Sequence, residues 1–137
     1  MKLKKTIFYI LLGLIMFILI PTAFFGLRIL FDLSNPLRQP VEQIRADLLE
    51  ITPLGTSIEE VRSVIQNNDE WRWSGHIATV GFPTGQRSDD PRVGVKSTRA
   101  NLGGFSNIFW TSVVAWWGFD EEGKLIDIHV EKHIAGW

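Results

Sequence analysis

The 137-residue chain contains no cysteine. That absence excludes disulfide frameworks, thiolate metal sites, thiol catalysis and a lipid-modified Cys. A basic surplus is also lacking. Lys2, Lys4, Lys5 and Arg28 flank one apolar run; the other 10 of the 14 basic residues lie beyond it with all 15 acids, so residues 29–137 carry net −5 (10 − 15). A nucleic-acid binder needs the opposite sign to neutralise phosphates, so no nucleic-acid partner is expected. There is no internal repeat and no low-complexity tract. Aromatics at 12% argue against a disordered chain. No Gly-x-Ser-x-Gly elbow occurs, which removes support for a serine hydrolase. Residues 94–104 (GVKSTRANLGG) hold Gly, Lys and Ser-Thr, but not in the order of a phosphate-cradling loop, and no helix follows.

What the chain does have is one long hydrophobic run. Residues 7–27 are 21 residues without a charge, and 17 of them are apolar. At about 1.5 Å per residue this is roughly 31 Å of helix, the thickness of a bilayer's hydrocarbon core. A cleaved signal would have a shorter apolar region and a small-x-small site. The best candidate here, Pro21-Thr22-Ala23, offers Pro in place of a small residue. The run therefore reads as an uncleaved single-pass anchor, with Pro21 and Gly26 predicted to kink or fray its outer end. The three N-terminal Lys outweigh Arg28 and Arg38, so the positive-inside bias keeps residues 1–6 in the cytoplasm. Everything after the anchor is expected outside the cytoplasm, on an inner or cell membrane. The short basic start has a bacterial look.

Residues 28–40 read as a linker and 41–137 as one exported domain. Val41, Ile44, Leu48 and Ile51 have helical spacing, and Thr52-Pro53-Leu54-Gly55 stops that helix. Thr56 with Glu59, or Ser57 with Glu60, fits a capping box for a second helix striped by Ile58, Val61, Val64 and Ile65. Strands are predicted at 71–80, 93–100, 108–119 and 124–134, with loops at 81–92 and 101–107 and a turn at 120–123. In the last strand Ile126, Ile128, Val130 and Ile134 are placed on one face, and Asp127, His129, Glu131 and His133 on the other. The expected fold class is α+β: a helical hairpin on a 3–4-stranded antiparallel sheet, in two layers.

The segments LLEITPLGTSIEEVRSVI and WWGFDEEGKLIDIHVEK resemble small exported bacterial proteins of the BamE/SmpA-like and β-lactamase-inhibitor-protein-like fold group. The resemblance covers residues 41–66 and 108–134. It implies a helical hairpin on an antiparallel sheet and a non-catalytic role in binding other proteins, as assembly factor or inhibitor. The chain departs from the assembly-factor branch in having no lipidated Cys, and no functional residue carries over.

The individual chemical candidates are weak. His129 and His133 are four residues apart, but on a strand that spacing is roughly 13 Å, too far for one metal ion at about 2 Å from each nitrogen. Glu131 or His76 would have to complete any such site. Asp89-Asp90 and Asp120-Glu121-Glu122 lack the ligand alternation of a calcium loop. Paired carboxylates of the glycosidase type would have to meet in space, so a wall-acting enzyme is the least favoured reading. No cofactor or metal is expected.

The tryptophans are the one surplus: Trp71, Trp73, Trp110, Trp116, Trp117 and Trp137 all lie in the strand-rich half. On strand 108–119, Trp110, Ser112, Val114 and Trp116 share one face. Thr111, Val113, Ala115, Trp117 and Phe119 share the other. A helical hairpin covers only one face. The other is left for loops or for a partner, and Trp110 with Trp116 are the candidate binding residues. The function expected is a membrane-anchored protein-binding module. An immunity or inhibitor protein acting on an exported toxin or hydrolase is the alternative.

Overall fold

In the computed structural model the chain divides into two compact units, Met1–Asn35 and Pro36–Trp137. The structure describes residues 2–85, 90–106 and 108–134, with side chains at all of these except 2–7, 10, 11, 29, 31 and 32. Trp137 and Asp89 from the sequence reading lie outside the described residues.

The first unit is a single 32-residue helix, α1 (Lys2–Leu33), which runs on through Pro21 and Gly26. It consumes residues 29–33 of the expected linker. The reason is local: Ile29, Leu30, Phe31 and Leu33 propagate a helix readily, and the next strong breaker after Gly26 is Pro36. Among the described residues no helix is long and apolar enough to cross a membrane; side chains of α1 are described without a break only over 12–28.

The second unit is α+β. After one tight helical turn (Pro36–Arg38) come α2 (Val41–Ile51) and α3 (Ile58–Gln66), then β1 (Arg72–Trp73), β2 (Phe82–Pro83), β3 (Arg92–Val93), β4 (Lys96–Ser106), β5 (Trp110–Phe119) and β6 (Leu125–Ile134). Strands β1, β4, β5 and β6 form one antiparallel sheet in that order, and β2 pairs with β3. Helix α2 lies against β6 and α3 against β1, so the helical hairpin opens across the sheet rather than closing on itself. Pro40 is the N-cap of α2, and Ser57 caps α3 in a full capping box with Glu60. The hydroxyl of Ser57 accepts from the Glu60 N–H while the Glu60 carboxylate accepts from the Ser57 N–H at 3.0 Å, satisfying two first-turn donors at once.

The core lies between helices and sheet. Ile44 and Leu48 of α2 and Ile58, Val61 and Ile65 of α3 face Val113, Ala115, Trp117 and Phe119 of β5, all buried. The parity read for β5 holds in full. Trp117 is fully buried, rests beside Trp71 at 6.1 Å between ring centroids, and donates its indole N–H to Thr52 Oγ1 at 3.2 Å. Thr52 in turn donates to the Leu48 carbonyl, closing the end of α2. The two segments that carry the family resemblance are bonded to each other: Gly55 donates to the Leu125 carbonyl, Leu125 to Thr56, and Ile58 to Gly123.

Four expectations need correction. Residues 71–80 contribute only a two-residue strand, because Gly75 takes a positive φ of 83° and breaks the ladder. The polar loop 81–92 contains the small β2–β3 hairpin, anchored by Phe82, which is buried. Residues 101–106 are strand, not connection: β4 is continuous across a bulge at Leu102, with Gly103 at φ 110° and its N–H held by Asn101 Oδ1. A bulge also sits in β6. Phe119 pairs with Leu125 and Gly118 with Asp127, so Ile126 is the extra residue and points outward, while Leu125 takes the core position. Ile134 keeps the inward face, opposite Thr111, and is exposed only because the strand ends there.

Candidate functional site

The sheet face away from the helices carries the chemistry. Pairing across the ladder places Trp110, Ser112, Val114 and Trp116 of β5 on it. Arg99 and Asn101 of β4 lie to one side, and His129, Glu131 and His133 of β6 to the other. Trp116 lies opposite both Arg99 and His129, at the centre of the face. It is half-buried, with ring centroids 6.0 Å from His129 and 6.4 Å from His133.

The two histidines are tied to one carboxylate. His129 Nε2 is 2.9 Å from Glu131 Oε1, and His133 Nε2 is 3.2 Å from Glu131 Oε2. Alternation brings the i, i+2 and i+4 side chains to one face, and Glu131 bridges the gap between the imidazoles. Among the described residues no group of three His, Cys, Asp or Glu is placed to hold a metal ion. His76 is elsewhere, its Nδ1 at 3.2 Å from the Ser74 carbonyl. Asp120 spends its carboxylate on the turn, accepting from the Lys124 N–H at 2.8 Å.

The β2–β3 hairpin roofs one end of this face. Phe82 stacks on His129 at 5.8 Å, and it closes on Gly118, where any Cβ would come within 2.7 Å of the Phe82 ring. So part of the leftover face is loop-covered, and Trp116 lies at the boundary. Beyond that roof no described residue covers the face. Three concavities of about 240, 210 and 270 Å³ run along it. The first shares Ser74 and Arg99 with the second, and the second shares Arg72 and Asn101 with the third, making one trough. Trp116 lines one end and Trp110 the other.

No family model, curated protein or solved structure matches this chain.

The site therefore stands on its own geometry. Arg72 and Arg99 are exposed, and their guanidinium groups have no hydrogen-bond or ion-pair partner among the described residues. Glu131 is engaged by the histidines, and Asp127 by Arg45 of α2, whose Nε also donates to the Ile128 carbonyl at 2.8 Å. Among the described residues, Glu70, at the Trp110 end, is the acid lining the trough. The result is a positively charged strip with a tryptophan at each end, within a unit whose overall charge is negative. Such a strip can hold carboxylates by charge-assisted, bidentate hydrogen bonds, and its rings can take apolar contacts.

Of the two tryptophans picked from the sequence, the structure puts both on this face but not together. Six residues separate them, about 20 Å along a strand. The sequence reading missed Arg72, Arg99 and the Phe82 roof. Arg99 was recoverable, since it alternates with Thr98 and Ala100, which are buried. The roof was not, because nothing local marks a two-residue hairpin. A second basic group lies on the helix side: burial pushes the Lys132 ammonium below its usual range, and Glu42 offsets part of that.

Proposed function

We propose that this chain is a membrane-anchored, extracytoplasmic, non-catalytic protein-binding module of BamE-like architecture, and that the trough between Trp116 and Trp110 is its partner site. The observation that carries the reading is the pair of unpartnered guanidinium groups, Arg72 and Arg99, lying between two tryptophans on the sheet face away from α2 and α3. Trp and Arg are the residue types that dominate protein–protein hot spots. The anchor reading rests on the uncharged run 7–27, whose 21 residues would span about 31 Å as a helix. The Lys residues at 2, 4 and 5 support a cytoplasmic N-terminus.

The test is site-specific photo-crosslinking in intact membranes. A photo-reactive residue at position 114, on the trough floor, is expected to give one discrete protein adduct. Arg99→Glu should abolish it, and a probe at Glu59 on the exposed side of α3 should give none. Equal adduct patterns from both positions would sink the reading.

A further inference from the structure

The turn between β4 and β5 presents a second surface, which meets the partner trough only at Trp110. Ile108 is 88% exposed, Phe109 58% and Trp110 53%, three large apolar side chains in succession. The chain joins this unit at the same end. Leu37 packs on Gly103, whose Cβ would lie 3.4 Å from Leu37 Cδ1; Arg38 donates to the Ser106 carbonyl; and Lys132 donates to the Gln39 carbonyl. Arg38 and Lys132 also stand over the Phe105 ring, at 4.9 and 5.2 Å from its centroid. Pro36 follows the end of α1 at Leu33 by three residues, a reach of about 10 Å.

We infer that Ile108 and Phe109, with Trp110 behind them, form a lipid-contacting tip that dips into the surface of the bilayer holding the anchor; this rests on the anchored reading above. The chemistry fits that occupant. Aliphatic and aromatic groups lead, a tryptophan follows at the depth where indole rings favour headgroups, and the cations of Arg38 and Lys132 form a collar suited to anionic lipid. Glu42 beside Lys132 and Glu70 beside Trp110 are the acids that oppose it. A protein partner fits less well, since stable interfaces bury about 800 Å² per side and three residues at one turn offer far less. The tip would orient the unit on its tether and hold the neighbouring trough at a fixed height above the membrane.

The test uses the full chain reconstituted in phosphatidylethanolamine–phosphatidylglycerol vesicles whose acyl chains are brominated. All 6 tryptophans lie beyond residue 70, so α1 adds no signal. Brominated lipid is expected to quench part of the fluorescence. Trp110→Phe should remove most of the quenchable part, and the double variant Ile108→Ser, Phe109→Ser should at least halve it with unchanged circular dichroism. Alkaline carbonate extraction reads the anchor separately. A chain that resists extraction but shows no quenching, or quenching untouched by either variant, overturns the tip alone. A chain released by carbonate overturns the anchored reading as well.

Discussion

At the scale of single residues, Trp117 and Trp116 are neighbours with opposite fates. Trp117 fills the core and completes the bond to Thr52, so Trp117→Ala opens a cavity and leaves a buried hydroxyl short of a partner. The expected cost is about 3–5 kcal/mol in urea unfolding. Trp116→Ala removes a half-buried ring that touches histidines rather than the core, and should cost about 1 kcal/mol or less. Similar losses for both would mean that the outer face is as structural as the inner one. Glu60 sets an acid-side prediction. Its hydrogen bonds from Ser57 hold its carboxyl below the usual range. The sign follows from linkage: between the folded value and the ordinary value near 4.5 the unfolded chain binds more protons, so stability falls as pH drops through that window. Glu60→Gln should flatten that part of a thermal-melt profile between pH 5 and pH 3, while leaving its position in the chain helical.

At the scale of elements, the two bulges decide which side chains face the core. Gly103 permits the bulge in β4 because its φ of 110° lies where side chains are strained. Gly103→Ala is therefore expected to destabilise the second unit by about 1–2 kcal/mol, measured by chemical unfolding; the same change at Gly13, where an added Cβ meets nothing within 4 Å, should not. These bulges also explain what the sequence could reveal. Helices α2 and α3 were readable from apolar spacing and the Ser57–Glu60 box, and β5 from its alternation. Strand β6 was readable except at Ile126, because one inserted residue reverses the parity that alternation relies on. Residues 101–106 looked like loop because two glycines carry no pattern, yet pairing with β5 supplies the strand. The site followed the same rule. The tryptophans were visible as composition, while the strip of Arg72 and Arg99 needed the β1–β4 register to bring the two together.

At the scale of the whole molecule, topology is the first thing to measure. A reporter active only outside the cytoplasm, fused after Trp137, is expected to work, and replacing Lys2, Lys4 and Lys5 by Glu should lower its activity; a working cytoplasm-only reporter at the same position would reverse the orientation. The pairing of the Gly55 turn with Leu125 has a different consequence, one of timing. It joins positions 70 apart (125 − 55), and the strand that supports α2 is the last of the described strands in chain order. Contacts so distant in sequence cannot form until β6 has been made, and closing such loops is slow. A chain made from its N-terminus would therefore stay loose while α2 and α3 emerge, and close only once β6 has followed them.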